Sequence, residues 1–501
     1  MTTTQVSKCP FHVAQQIFQK KHYIDSNSTR PDAQTFAAKP IPHSKTPKIL
    51  QAAQWALDPV GYIEKSVKRH GDVFRAPVSS KKSYCLVSDP KMLQYLFTHD
   101  TGKALSSPGE LTQVTAPLIG KKNVIGTGGK QHQHRRKVTM PPLRPQNCLK
   151  TYSTIIQQVT QAVIDQWQVG DSFDLRVEMQ KITTRVILRV VLGLKSGTRA
   201  HLLEHLLNSL LNMIATPVSS LRLFVPWLRT DLGPWTLGGR MRLLKNKIAT
   251  CLLAEIKERR NNNQASEEMD VLSLLLSAKD HEGCDLSDQD ICDELMMFLI
   301  AGFEATTVAL TWSLYWTHFL PEVKQNLLTE LNELPNELSN SNPDSHDASQ
   351  LMSLPYLSAV CNETLRIHSV VMLTFARQVN EPLQLGGYQF KPGDLVMGST
   401  YSLHRREDLY PQSDRFRPER FLERTFSPYE FMPFGGGVRR CMGSALAQSE
   451  MKIVLATVLR QVDLSLVSNH PIKQVRRGIA SGPKSPVRVT VKKKYSKSAS
   501  L

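Results

Sequence analysis

The 501-residue sequence predicts a mainly α-helical single domain with a small β region, and three observations carry that prediction. From about residue 150 to 330, apolar residues recur three and four apart, the period of a buried helix face. Short strand-like runs punctuate the rest, at 72–76, 84–88, 373–379 and 395–398. No linker and no internal repeat divides the chain, so these pieces are expected to share one core.

Residues 1–40 read as an irregular lead-in, with the proline-marked run Lys39-Pro-Ile-Pro42 at its end, and 41–490 as the folded domain. A short helix is expected from Asp58, ahead of the first two strand-like runs. Helical periodicity is clearest at 155–167, 177–194 and 272–276. An apolar helix spans 294–310. The polar run 336–350 is a loop, and a helix at 356–368 precedes the last two strand-like runs. A proline-rich meander then leads to Cys441, and a final long helix covers about 443–462. Lys492-Lys-Lys-Tyr-Ser-Lys497 marks 491–501 as a basic, disordered tail.

The formal charge is +18, but no helix-turn-helix, finger or aromatic RNA motif accompanies it, so no nucleic acid is expected as partner. A basic face for an acidic protein fits better: Arg439, Arg440 and Lys452 flank Cys441, and Arg135, Arg136 and Lys137 form a second cluster. No window holds about 18 continuous apolar residues, and Met1 to Arg30 lacks a signal-peptide core. No transmembrane anchor and a cytoplasmic location are therefore expected. Leu221-Arg-Leu-Phe-Val-Pro-Trp227 reads as a packed loop rather than a membrane contact. Eight cysteines stand at 9, 85, 148, 251, 284, 292, 361 and 441, without C-x-x-C or zinc-like spacing. Gly126-Thr-Gly-Gly-Lys130 lacks the spacing of a phosphate loop.

Only Cys441 has a chemical setting. It lies in Phe434-Gly-Gly-Gly-Val-Arg-Arg-Cys-Met-Gly443, between flexible glycines and paired arginines and at the head of the final helix. Glycines let backbone lie close under a flat macrocycle, where a side chain would collide. Unpaired N–H groups at the helix start favour thiolate over thiol. Phe434, Gly437, Arg439, Cys441 and Gly443 fit F-x-x-G-x-R-x-C-x-G, and in this run the chain resembles the cytochrome P-450 monooxygenases.

The resemblance extends over about residues 40–490 and implies the single-domain cytochrome P-450 fold, with haem b whose iron takes Cys441 as axial thiolate. Glu363 and Arg366, three apart on one helix face, together with Arg420 in Phe416-Arg-Pro-Glu-Arg-Phe421, match the family's buried triad. His132 and Arg136 at i,i+4, Arg377 in Thr374-Phe-Ala-Arg377, and Arg439 occupy the propionate-binding positions. Phe434 belongs to the same cofactor shell.

The distal helix would be Glu294-Leu-Met-Met-Phe-Leu-Ile-Ala-Gly-Phe-Glu-Ala-Thr-Thr-Val-Ala-Leu310. Ala301 and Gly302 are small enough to admit oxygen and substrate, and Glu304 is the acid of a proton relay. Most relatives read Ala-Gly-x-(Asp/Glu)-Thr-Thr, whereas this chain has Ala305 at the usual alcohol position. Thr306 is next in line, although one residue turns a helix by about 100°. Thr306 through a local distortion, a substrate hydroxyl or ordered water, or weak oxygen activation are the three open outcomes, with the second favoured.

Leu, Val, Ile and Thr dominate the runs 105–118, 206–235, 370–375 and 478–482 that line the family's pocket. Few charges fall in the first and third. An apolar substrate, a fatty acid or terpenoid, follows. Leu422-Glu-Arg-Thr-Phe-Ser-Pro-Tyr-Glu-Phe431 resembles cyanobacterial members associated with such lipids, and Arg476 or Arg477 is weighed as a carboxylate partner against a surface role. The expected activity inserts one oxygen atom from O2 into an unactivated C–H bond. Electrons would come from a separate ferredoxin- or flavodoxin-type donor, since no flavin or iron–sulfur module is evident. A peroxide-driven or rearranging enzyme, and a non-catalytic haem sensor, are the competing expectations.

Overall fold

A five-stranded sheet is assembled from segments far apart in the chain. Val73–Ala76 pairs antiparallel with Tyr84–Val87, which runs parallel to Leu395–Gly398. Arg377–Val379 pairs antiparallel with that strand, and Leu105–Ser106 closes the edge. Cys85, Leu86 and Val87 are all buried, the continuous apolar run of a strand covered on both faces. The computed structural model describes residues 38–78, 83–120, 122–147, 151–215, 233–262, 270–280, 282–334, 345–478 and 480–495. From Pro40 onward they belong to one compact unit.

The helical body is organised around the 32-residue helix Asp288–Phe319, the central helix. Ser287 starts it by accepting the Asp290 N–H at 3.1 Å, with Asp288 and Asp290 at the positive end of the helix dipole. Pro321 ends it, since proline's ring excludes helical geometry at the preceding residue. Leu175–Leu192, Leu237–Asn262 and the terminal helix Ser444–Gln461 pack around it. It is apolar around most of its circumference because most of it is covered. By length and composition this helix could cross a membrane, yet 78% of its most apolar stretch is buried inside the protein. The expectation from continuous runs missed it because Glu294 and Glu304 interrupt the sequence.

Leu175–Leu192 shows how pattern becomes packing. Asp174 caps it by accepting the Arg176 N–H at 3.1 Å, and Gly193 stops it with φ of 64°. Met179, Ile182, Val186 and Val190 are buried between, each worth roughly 1.5–3 kcal/mol against exposure.

Three expectations need correction. Lys48–Leu57 is a helix that was not anticipated; it buries only Gln51, Trp55 and Ala56, too narrow a stripe to read. The loop expected at 336–350 is partly helical: Ser345–Ser353 docks on the terminal helix and buries Leu351. The tail begins later than 491. Arg488–Lys494 is a strand pairing with Val462–Leu466, and Lys494 Nζ donates to the carbonyls of Ile164 at 3.1 Å and Trp167 at 2.8 Å. Val489 and Val491 anchor one face of it, so charge at alternate positions did not preclude structure. The 221–227 segment, most of residues 1–40, Cys9 and Cys148 lie outside the described residues.

Candidate active site

The Cys441 loop is held by its own backbone. The Cys441 N–H donates to Phe434 O at 3.0 Å, and Arg440 N to Gly437 O at 3.1 Å across a single tight turn. Gly435 and Gly437 take φ of 67° and 66°, a region closed to most side chains. The cysteine keeps an accessible face although protein surrounds it. Burial pushes its thiol up; the Gly443 N–H, Arg136 and Arg440 oppose that shift without reversing it.

Beneath the loop lies the expected triad. Arg366 Nε and Nη2 donate to Glu363 at 2.6 and 2.8 Å, and Arg420 Nε donates to the same carboxylate at 3.1 Å. Arg366 also donates to the carbonyls of His404, Ser413 and Arg415 at 2.7, 2.9 and 3.1 Å. The three side chains are at most 3% exposed. Two buried cations on one carboxylate hold only because carbonyls satisfy the remaining N–H groups, and in doing so they pin the 404–420 meander. His404 completes this layer, its Nε2 accepting the Met432 N–H at 2.9 Å.

Three guanidiniums gather beside Cys441. Arg439 donates to the carbonyls of Ser107, Val124, Ile125 and Thr127 at 2.6–3.2 Å, and burial, with Arg377 and Arg136 nearby, brings it down to about 10. His132 sits against Arg439 at 2.9 Å, between Val124 O and Val438 O; burial first, then Arg439, holds it below the usual imidazole range. Arg136 is half-buried beside Cys441 and Arg440. Arg377 is 1% exposed and ion-paired with Asp100 at 2.7 Å. Asp100 is the carboxylate felt by both Arg377 and Arg439. Three cations around one anion, with Arg377 and Arg439 buried and Arg136 half-buried, leave an excess of two positive charges beside the loop.

The central helix supplies the other wall. Ala301 is exposed and Ala305 partly so, four residues apart on one face, amid buried neighbours. Gly302 has a different task from the one expected: a Cβ there would lie 2.5 Å from Ile187 Cδ1, so glycine is needed for contact with Leu175–Leu192. Thr306 is 4% exposed, and its hydroxyl donates to Gly302 O at 3.1 Å. It is the back-bonded threonine of a core helix rather than a hydroxyl on the Ala301 face, as the 100° turn dictates. Thr307 shares a 2.6 Å hydrogen bond with Thr183. Glu304 accepts from Arg176 Nη2 at 3.2 and 3.1 Å.

Several functional neighbours escaped the sequence reading. Asp100 and Arg176 are two. Glu294 is another: it accepts from Arg135 at 2.9 Å and from Val124 N at 3.2 Å, and burial raises its carboxyl to about 7. Of the basic residues assigned to an outer face, Arg439 is interior, Arg135 is paired with Glu294 and Asp290, and Lys452 donates to Met352 O at 2.9 Å. Arg440 and Lys137 stay exposed, with Lys130. Arg476 stacks on Trp55 at 5.1 Å and donates to its carbonyl, so it is not a surface residue.

Comparison with known proteins agrees with this geometry. The family model described as cytochrome P450 matches residues 40–490. Cytochrome P450 138 of Mycobacterium bovis (strain ATCC BAA-935 / AF2122/97) is 29% identical over 457 residues, covering 90% of this chain and 96% of the relative. Cytochrome P450 135B1 of Mycobacterium tuberculosis (strain CDC 1551 / Oshkosh) is 28% identical, covering 88% and 89%. Among solved structures, cyanobacterial CYP120A1 with retinoic acid bound superposes with a TM-score of 0.77 at 24% identity, covering 92% of this chain and all of that one. The chain belongs to the cytochrome P450 family, monooxygenases that carry haem iron on a cysteine thiolate.

Proposed function

We propose that this haem-thiolate monooxygenase oxidises an unactivated C–H bond of a fatty acid or terpenoid, with Cys441 as its iron ligand and a ferredoxin-type protein as its electron donor. The residues present fit haem b: a thiol with an accessible face, glycines at 435–437, and two surplus positive charges, on buried Arg377 and Arg439 and half-buried Arg136 less Asp100, for two propionates. That charge surplus is the observation carrying the site assignment, because buried cations require anionic partners. When bound, haem supplies oxygen activation; the chain supplies everything that positions it.

Cys441 would hold the haem iron, with the Gly443 N–H, Arg136 and Arg440 stabilising negative charge on its sulfur. Arg136 would hold a propionate directly, while Arg439 and Arg377, bonded within the protein, add positive charge beside it and His132 braces Arg439. Phe434 fixes the loop through its carbonyl, and Ala301 leaves room on the opposite wall. Val371 and Phe375 are 47% and 36% exposed beside buried Met372, Thr374 and Ala376, which supports an apolar substrate. Exposed Lys130, Lys137 and Arg440 offer an acidic donor a docking face.

Proton delivery starts from Glu304, which Arg176 holds in place until the pair separates. With a methyl group at Ala305 and Thr306 committed to Gly302, a substrate hydroxyl or bound water completes the path. The same two residues favour a second reading, a peroxide-driven or rearranging catalyst. The test is product analysis with fatty acids and terpenes under two regimes. Hydroxylated product with O2 and reduced ferredoxin supports the main reading; product with peroxide alone supports the second.

A further inference from the structure

We propose that Asp100 is a positioning residue of the haem site, locking Arg377 and the Cys441 loop and setting the buried charge to match a dianionic cofactor. Asp100 follows the helix Pro90–Thr98, outside every motif of the site. It is 4% exposed and accepts Arg377 Nε at 2.9 Å, Arg377 Nη2 at 2.7 Å and the Val438 N–H at 3.1 Å. The remaining arms of Arg377 donate to Phe375 O at 2.7 Å and Gly436 O at 2.9 Å, and its plane lies 4.9 Å from the Phe97 ring centre. Arg377 is thus held by the protein at Nε, Nη1 and Nη2, which fixes its charge beside the Cys441 loop.

The carboxylate also explains the motif glycine. Gly437 has φ of 66°, and a Cβ there would fall on Asp100 Oδ2. Asp100 thereby sets the path of the chain four residues before Cys441. Without it, three guanidiniums would face two propionates and leave one buried cation unpaired, a costly arrangement.

This inference rests on haem-thiolate ligation by Cys441, so the carbon monoxide spectrum of the reduced wild type is read first; its failure would be a failure of that assignment, not of Asp100's role. Midpoint potential and the rate of haem transfer to apomyoglobin are then measured for Asp100→Asn, Arg377→Gln and the double variant. An added positive charge favours the reduced iron, so Asp100→Asn raises the potential, and release of the Val438 N–H and Arg377 loosens the Cys441 loop and speeds haem transfer about tenfold or more. Arg377→Gln lowers the potential. The double variant returns toward wild type in potential, because the buried pair is removed together. Should Asp100→Asn give no folded protein, adding it to Arg377→Gln still has to bring the potential back up. Potentials that do not move in opposite senses, or a double variant farther from wild type than either single change, overturn the proposal.

Discussion

On the Cys441 side, Glu363, Arg366, Arg420, Arg377 and Asp100 are nearly inaccessible, and their guanidinium arms meet carboxylates or carbonyls. On the central-helix side, the open face presents the methyl groups of Ala301 and Ala305, and its polar groups turn elsewhere: Thr306 to Gly302, Thr307 to Thr183, Glu304 to Arg176. The first wall is a polar lattice in which each member satisfies several others, so a single loss leaves buried charge exposed to a low dielectric. The second is packed by shape, and its chemistry depends on what enters. Substitutions on the first wall should therefore cost stability and haem. Those on the second should change packing locally or alter turnover.

The largest expected effect is at Glu363. Glu363→Gln leaves two buried arginines without their counter-ion and should cost about 3–5 kcal/mol, seen as a lower denaturant midpoint and loss of bound haem. An unchanged midpoint would mean the first wall is not the lattice described. Gly302→Ala comes next. Its Cβ meets Ile187, and overpacking should destabilise by about 1–3 kcal/mol, relieved when combined with Ile187→Val. A neutral Gly302→Ala would show that the second wall has slack.

His404 sharpens the comparison through pH. Burial, with Arg366 and Arg405 nearby, pushes its imidazole down to about 3. A folded value below the unfolded 6.5 means its contribution is complete above pH 6.5 and is lost as pH falls toward 3. His404→Gln should flatten the decline of stability between pH 6.5 and 5 by on the order of 1 kcal/mol per pH unit. Equal slopes in wild type and variant would contradict this. Smallest in stability is Ala305→Thr, which should leave the melting temperature within a degree or two while raising the fraction of consumed oxygen that appears in product. No change in that fraction would remove Ala305 from the proton path.

The first wall was largely legible in the sequence because its motifs are local. Cys441 with its glycines lies within ten residues, and Glu363 and Arg366 share one helical turn. The final helix and the four strand-like runs were legible for the same reason, since apolar period is a local signal. Asp100 was not: its partner Arg377 is 277 positions away, and a lone aspartate after a helix has no pattern of its own. Arg176 and Glu304, 128 positions apart, were hidden likewise. Gly302 was assigned to the open face because sequence reveals size but not direction, and Ile187 decided the matter. The helix at Ser345–Ser353 was missed because its polar composition reads as loop until the terminal helix covers Leu351.

The most direct test of the account is the absorption spectrum of the purified protein, reduced and exposed to carbon monoxide, compared with that of Cys441→Ser. Wild type should give the red-shifted Soret band of anionic sulfur ligation, and the variant should lose it. A wild-type protein that binds haem but lacks that band, or a Cys441→Ser protein that retains it, would contradict the assignment of Cys441 as the ligand.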